Sequence, residues 1–195
     1  MPIIGITGAV CSGKSTVLRY LKSLGLETLD VDKFLDTLYA KTHPVYKKVI
    51  EVFGSYILDT CGNIDRSKLR NLVFSSSQKL KALNTLTHPY MIDMLKKYLD
   101  LKKSKNIAVE VPLLFEEKLE SLFDCIIVVS ASLEKIYHFA SIRGLSREEV
   151  NKILTFQYPL NIKEERADFV IKNEGTKEEL KRKVEEVWRK IINQN

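Results

Sequence analysis

The 195 residues, 45% hydrophobic and 29% charged with 8 Gly and 5 Pro, fit one domain or a core with one insertion and argue against disordered or fibrous classes. A chain of this length buries about 70% of its unfolded surface, so it needs no disulfide or metal staple. The net charge of +6 leaves room for an anionic ligand, yet no basic stripe interleaved with aromatics points to nucleic acid.

Ile3–Thr7 reads as a short buried strand, and the segment has no basic region of the kind that opens a signal peptide. A glycine-bearing turn follows, then a helix over 14–23 with Val17, Leu18 and Leu21 on one face and Gly25 as its stop. A second strand is expected over Glu27–Val31, which by alternation would place Asp30 and Asp32 on one side. Further short apolar strands are expected over 107–111, 125–129 and 168–171, separated by helical patterns. Such strands form a parallel sheet covered on both faces.

The interval 32–106 is longer than a simple crossover requires and reads as helices over 33–40, 44–53, 67–74, 78–87 and 89–103. Breaks are expected at Phe53-Gly54, at 59–63 and at His88-Pro89. We read this interval as an insertion over the C-terminal edge of the sheet, where α/β proteins bind ligands. Later in the chain, Ser146–Glu149 and Thr176–Glu179 form capping boxes. The last helix sets Leu180, Val184, Val187, Trp188, Ile191 and Ile192 at helical spacing, so Trp188 reads as a core anchor.

No apolar run approaches the ~20 residues of a membrane helix. Cys11, Cys61 and Cys125 are odd in number and widely spaced, and the three histidines form no ligand pair, which suits a reducing cytoplasm rather than a disulfide or zinc framework.

The strongest signal is Gly8-Ala9-Val10-Cys11-Ser12-Gly13-Lys14-Ser15, which matches G-x-x-x-x-G-K-[ST] between a strand and a helix. Glycines let the backbone wrap a phosphate, and successive N–H groups point inward at a helix N-terminus. ATP and Mg²⁺ follow: Lys14 is placed to reach the β- and γ-phosphates, and Ser15 to hold the metal. A guanine-reading N-K-x-D is missing, and Asp59-Thr60-Cys61-Gly62 lies in a turn context, so a GTPase switch is disfavoured. Phosphoryl transfer to a hydroxyl needs a carboxylate to take its proton, and Asp30 or Asp32 could do this or bind the metal through water. Asp32 could equally cap the helix that begins after it.

In order along nearly the whole chain, Gly8–Thr16, Asp30-Val31-Asp32, Phe53-Gly54, Asp65-Arg66, His88-Pro89, Glu110–Glu116, Gln157, Lys163, Ala167-Asp168 and Asn173 resemble the dephospho-CoA kinase family. The stretch Pro112-Leu113-Leu114-Phe115-Glu116 together with Asp30-x-Asp32 separates that family from generic P-loop kinases. The resemblance implies ATP- and Mg²⁺-dependent phosphorylation of the ribose 3′-hydroxyl of dephospho-CoA, the last step of coenzyme A synthesis. It also implies a five-stranded parallel P-loop kinase core over 1–31 and 107–195, a lid near 138–160, and an acceptor-binding helical insertion over 32–106. By position, Asp32 is the implied base, with Lys14 and an arginine, here Arg143, supporting the transferring phosphoryl group. Gly8 to Thr16 and Asn173 fall on the nucleotide side; Arg66, His88, Leu113, Leu114 and Glu116, with Asp32, fall on the acceptor side.

Simpler roles stand beside these. His88 could mark a helix boundary, Leu113 and Leu114 could be core, and Arg66 could pair locally. Gln157 and Asn173 could be adenine-side groups or plain hydrogen-bonders. The chain also departs from the family pattern: Ala9 and Cys11 stand where glycines are usual, Asp36 where an arginine is common, and His138 and Ile142 where the lid arginines usually lie, with Arg143 one step later. A kinase for another small hydroxylated or nucleotide acceptor, and a catalytically weak ATP-binding regulator, are the alternatives.

Overall fold

The computed structural model describes residues 1–102 and 105–194. These group into two compact units, Met1–Asp30 with Leu99–Asn195, and Val31–Tyr98.

The first unit carries the strands β1 (Ile3–Gly8), β2 (Glu27–Asp30), β3 (Ile107–Glu110), β4 (Cys125–Ser130) and β5 (Phe169–Lys172). They form one five-stranded sheet of order β2-β3-β1-β4-β5, and every pairing is parallel. This is the α/β architecture expected from the run of short apolar strands. β3 and β4 are buried along their whole length, as strands covered on both faces must be. The chain passes from β1 to one side of the sheet and later crosses to β4 on the other. β1 therefore ends at a topological switch point, the crevice where open α/β sheets take ligands.

Helices α1 (Lys14–Ser23), α6 (Leu133–Ile142), α7 (Arg147–Leu154), α8 (Leu160–Glu165) and α9 (Lys177–Gln194) complete this unit. Between α1 and α6 in chain order lie α2 (Phe34–Leu38), α3 (Pro44–Phe53), α4 (Arg66–Phe74) and α5 (Ser77–Asp100). One core cluster joins Ile4 and Ile6 of β1, Val17 and Leu21 of α1, Ile127 and Val129 of β4, and Leu180, Val184 and Ile191 of α9. Burying each such side chain contributes about 1.5–3 kcal/mol. Trp188 packs on the edge of this cluster and is only partly buried, whereas Ile192 is 45% exposed and lies off the core face expected for it.

α1 ends as its sequence suggests. Gly25 adopts φ 93°, Leu26 N–H donates to Leu21 O and Gly25 N–H to Lys22 O, a pattern that closes a helix around a left-handed residue. Both capping boxes form, with Ser146 and Thr176 each exchanging hydrogen bonds with the glutamate three residues on.

The second unit buries Leu38, Val45, Val49, Ile57, Leu69 and Val73. Two expectations fail here. His88-Pro89 breaks nothing: α5 runs unbroken from Ser77 through Pro89 to Asp100. A proline inside a helix costs about 3 kcal/mol. Thr87, Met91, Leu95 and Leu99 make a buried stripe at four-residue spacing across the proline, and that burial outweighs the lost hydrogen bond. The expected end of this helix at Lys103 lies outside the described residues.

The second failure concerns the D-x-D. β2 stops at Asp30, opposite Glu110, and Val31–Lys33 form a 3₁₀ turn. Strand alternation therefore does not reach Asp32. Nor does Asp32 cap a helix, because α2 starts at Phe34 with Lys33 as the residue before it.

Candidate active site

The phosphate loop follows β1 directly. Gly8 and Gly13 have φ of 146° and 105°, and a Cβ on either would run into the Val129 carbonyl or the Asn173 amide respectively. Cys11 is also left-handed, with φ 56°. A residue with a Cβ is strained there. Ala9 and Cys11 do not spoil the loop. Both side chains are buried in a second apolar cluster with Ala131, Ile136, Ala140 and Val150, drawn from the end of β4 and from α6 and α7.

Lys14 is 6% exposed, and its ammonium donates to Ala9 O at 2.7 Å and Gly8 O at 3.3 Å, so it lies along the loop. Ser12 Oγ is buried without a hydrogen-bond partner among the described residues. An orphaned hydroxyl inside a loop that opens onto a helix N-terminus suits an anion with many acceptor oxygens.

Ser15 Oγ donates to Glu110 Oε1 at 3.2 Å, and Glu110 is 6% exposed at the end of β3. Asp30 is the register partner of Glu110, so two carboxylates stand side by side at the same edge. A hydroxyl and neighbouring carboxylates are the hard oxygen donors Mg²⁺ takes, with phosphates and water filling its other positions. The residues fit the metal. The cue for Glu110 in the sequence is a carboxylate ending an otherwise apolar strand, within the stretch that carries the family resemblance.

Two amides hold the loop from outside. Gln157 Oε1 accepts from Val10 N–H at 2.9 Å, and the buried Asn173 donates through Nδ2 to Ser12 O at 2.9 Å. Asn173 thus lies against the loop backbone rather than presenting that N–H to a nucleotide. Because a trans peptide points its C=O and N–H in opposite directions, fixing Ser12 O outward turns Gly13 N–H into the cradle.

Arg143 follows the last turn of α6, which closes through Gly144 at φ 73° with Leu145 N–H donating to Ala140 O at 2.9 Å. Its guanidinium reaches Cys11 Sγ at 3.9 Å. Ile142 is 71% exposed and His138 is exposed as well.

Of the residues expected on the acceptor side, Leu114 is fully buried and packs where a Cβ on Gly5 would meet its Cδ1 at 2.7 Å. That is a core position, with no surface left for a ligand; Leu113 is half-buried. Glu116 accepts from the buried Lys163 at 2.8 Å and from Tyr158 N–H at 2.7 Å. Burial pulls the Lys163 ammonium below its ordinary range, and Glu116 opposes this. Lys163 also donates to Pro112 O, which accepts from Thr7 of β1 as well.

Within the second unit, Arg66 pairs with Asp36 at 2.7 Å, an exposed bridge of little energetic weight. Asp36, four residues after Asp32, is thus accounted for as Arg66's partner. Burial raises the Tyr39 hydroxyl to about 12, with Arg66 acting to lower it and Asp32 to raise it. His88 is half-buried on α5.

Comparison with known proteins agrees with the loop and the sheet order. The family described as dephospho-CoA kinase matches residues 2–179. A Carboxydothermus hydrogenoformans dephospho-CoA kinase is 39% identical over 188 residues, 94% of this chain and 91% of the relative. A Thermus thermophilus crystal structure superposes with TM-score 0.77 at 35% identity, covering 96% of each chain. The dephospho-CoA kinase structure from Campylobacter jejuni gives TM-score 0.65 at 26% identity, covering 97% of this chain and 96% of that one. With its phosphate loop on β1 of a parallel sheet and a match that includes the helical unit, the chain belongs to the dephospho-CoA kinase family and is a P-loop kinase.

Proposed function

We propose that the protein transfers the γ-phosphoryl group of ATP to the ribose 3′-hydroxyl of dephospho-CoA, giving coenzyme A in the cytoplasm. The family match over residues 2–179 carries this reading, because it includes the segment between β2 and β3 as well as the phosphate loop common to many kinases. Three free thiols support the compartment.

The roles follow from chemistry. N–H groups of Gly8 to Thr16 hold the nucleotide phosphates, Gly13 N–H being turned inward by Asn173. Lys14 supports the β- and γ-phosphate charge, as the P-loop lysine does. Ser15, backed by Glu110 and Asp30, would hold Mg²⁺. The metal would neutralise charge on the phosphates. Asp32 takes the proton of the attacking hydroxyl, and Arg143 closes on the transferring group. Arg66, His88, Leu113 and Glu116 are the acceptor-side candidates; Leu114 supports them from the core. The proposed parts are a core of 1–31 and 107–195, a lid near 138–160 and an acceptor-binding segment of 32–106.

The deciding experiment is ADP release with ATP–Mg²⁺ against dephospho-CoA, nucleoside monophosphates, gluconate and shikimate. Turnover with dephospho-CoA well above the others is expected. A preference for any other acceptor overturns the assignment.

A further inference from the structure

We propose that Gln157 is a positioning residue for Lys14, acting through a single peptide plane of the phosphate loop. Gln157 lies beyond α7, and its Oε1 takes the Val10 N–H at 2.9 Å across 147 residues of sequence. The Ala9–Val10 peptide is planar and trans, so the carbonyl at its other end points the opposite way. That carbonyl is Ala9 O, which receives the Lys14 ammonium at 2.7 Å and Ser12 N–H at 3.2 Å. Gln157 thus fixes the orientation of the acceptor on which Lys14 rests.

The side chain could have served other ends. An adenine-side amide would project its polar atoms toward a ligand, whereas here the acceptor oxygen is bonded to the loop backbone. The neighbouring residue is anchored too: Tyr158 N–H donates to Glu116, whose carboxylate pairs with the buried Lys163. The segment carrying Gln157 is thereby tied to the sheet, and its amide is presented to Val10 from a fixed point. Without it, the Ala9–Val10 peptide loses the bond that fixes its N–H end and is held from its carbonyl end, by Ser12 N–H and Lys14. A swing of its carbonyl takes Ala9 O away from Lys14 and lets the ammonium leave the line along which it meets the phosphates.

The proposal rests on the nucleotide side of the assigned function and not on the acceptor. Its test is a double-mutant cycle of wild type, Gln157→Met, Lys14→Met and the double variant. The readouts are acceptor-dependent ADP release at saturating substrates and ATP affinity by equilibrium titration, with melting temperatures taken alongside. Gln157→Met should lower turnover about tenfold in the wild-type background, the size of one hydrogen bond to a charged group. In the Lys14→Met background it should cost less than about twofold, since the residue it acts through is gone. An equal loss in both backgrounds would show a structural role and overturn the proposal. Where Lys14→Met is too slow to assay, the ATP-affinity cycle decides by the same criterion. If Gln157→Met does not fold, Gln157→Ala takes its place in the cycle. Failure of the acceptor assignment would silence the turnover arm in all four proteins and leave the affinity arm intact.

Discussion

The Arg143 guanidinium lies 3.9 Å from the Cys11 sulfur, so the end of α6 delivers a cation to the phosphate loop although no arginine occupies positions 138 or 142. The left-handed Gly144 ends the helix there, and Arg143 has left the helical conformation with φ −92° and ψ 7°.

Arg143→Ala should lower acceptor-dependent turnover at saturating ATP by at least tenfold, since a closing arginine is worth roughly 10³–10⁵ in rate. Arg147 stacks 5.0 Å over the Tyr137 ring. Arg147→Ala should change turnover by less than about twofold, as expected for a cation engaged at the surface. Equal effects of the two substitutions would remove Arg143 from the assigned role.

The two D-x-D carboxylates should separate kinetically. Asp30 ends β2 next to Glu110, on the Ser15 side, whereas Asp32 lies in the 3₁₀ turn that follows. Asp32→Asn should leave ATP affinity near normal and lower turnover by about 10²–10⁴, the range for a general base. Asp30→Asn should instead raise the Mg²⁺ concentration needed for half-maximal rate. The reverse pattern would transfer the base to Asp30.

Lys163 and Glu116 form a pair that is 0% and 10% exposed. Lys163→Met leaves a carboxylate buried without its cation and should destabilise the fold by about 3–5 kcal/mol. Adding Glu116→Gln should recover part of that loss. The pH dependence has a definite sign. Burial lowers the folded-state value of Lys163 below its ordinary 10.5, so the unfolded chain binds the proton more tightly. The cost of keeping the ammonium buried is full below the folded value and fades as pH rises toward 10.5. Denaturant unfolding should therefore show the advantage of wild type over Lys163→Met growing across that window. An advantage that shrinks there would contradict the burial effect.

The phosphate loop could be read from residues 3–23 because strand, turn and helix follow one another locally. The parallel sheet was legible for a related reason, as strands buried on both faces are apolar throughout. The D-x-D was misread because Val31 continues an alternating pattern after Glu110, the last partner of β2, has been used. Pro89 was misread because a local penalty was weighed without the buried stripe that opposes it. Gln157, Asn173 and Lys163 were visible only as part of the family resemblance. Their partners lie 147, 161 and 51 residues away, and no local period encodes such a meeting.

The hydrogen bond from Asn173 to Ser12 has a consequence for how the protein comes into being. Synthesis passes the glycine-rich loop long before the amide that turns Gly13 N–H inward, which lies 161 residues after Ser12, just beyond the strand Phe169–Lys172. A nascent chain halted before that point carries the whole motif without its final backbone orientation.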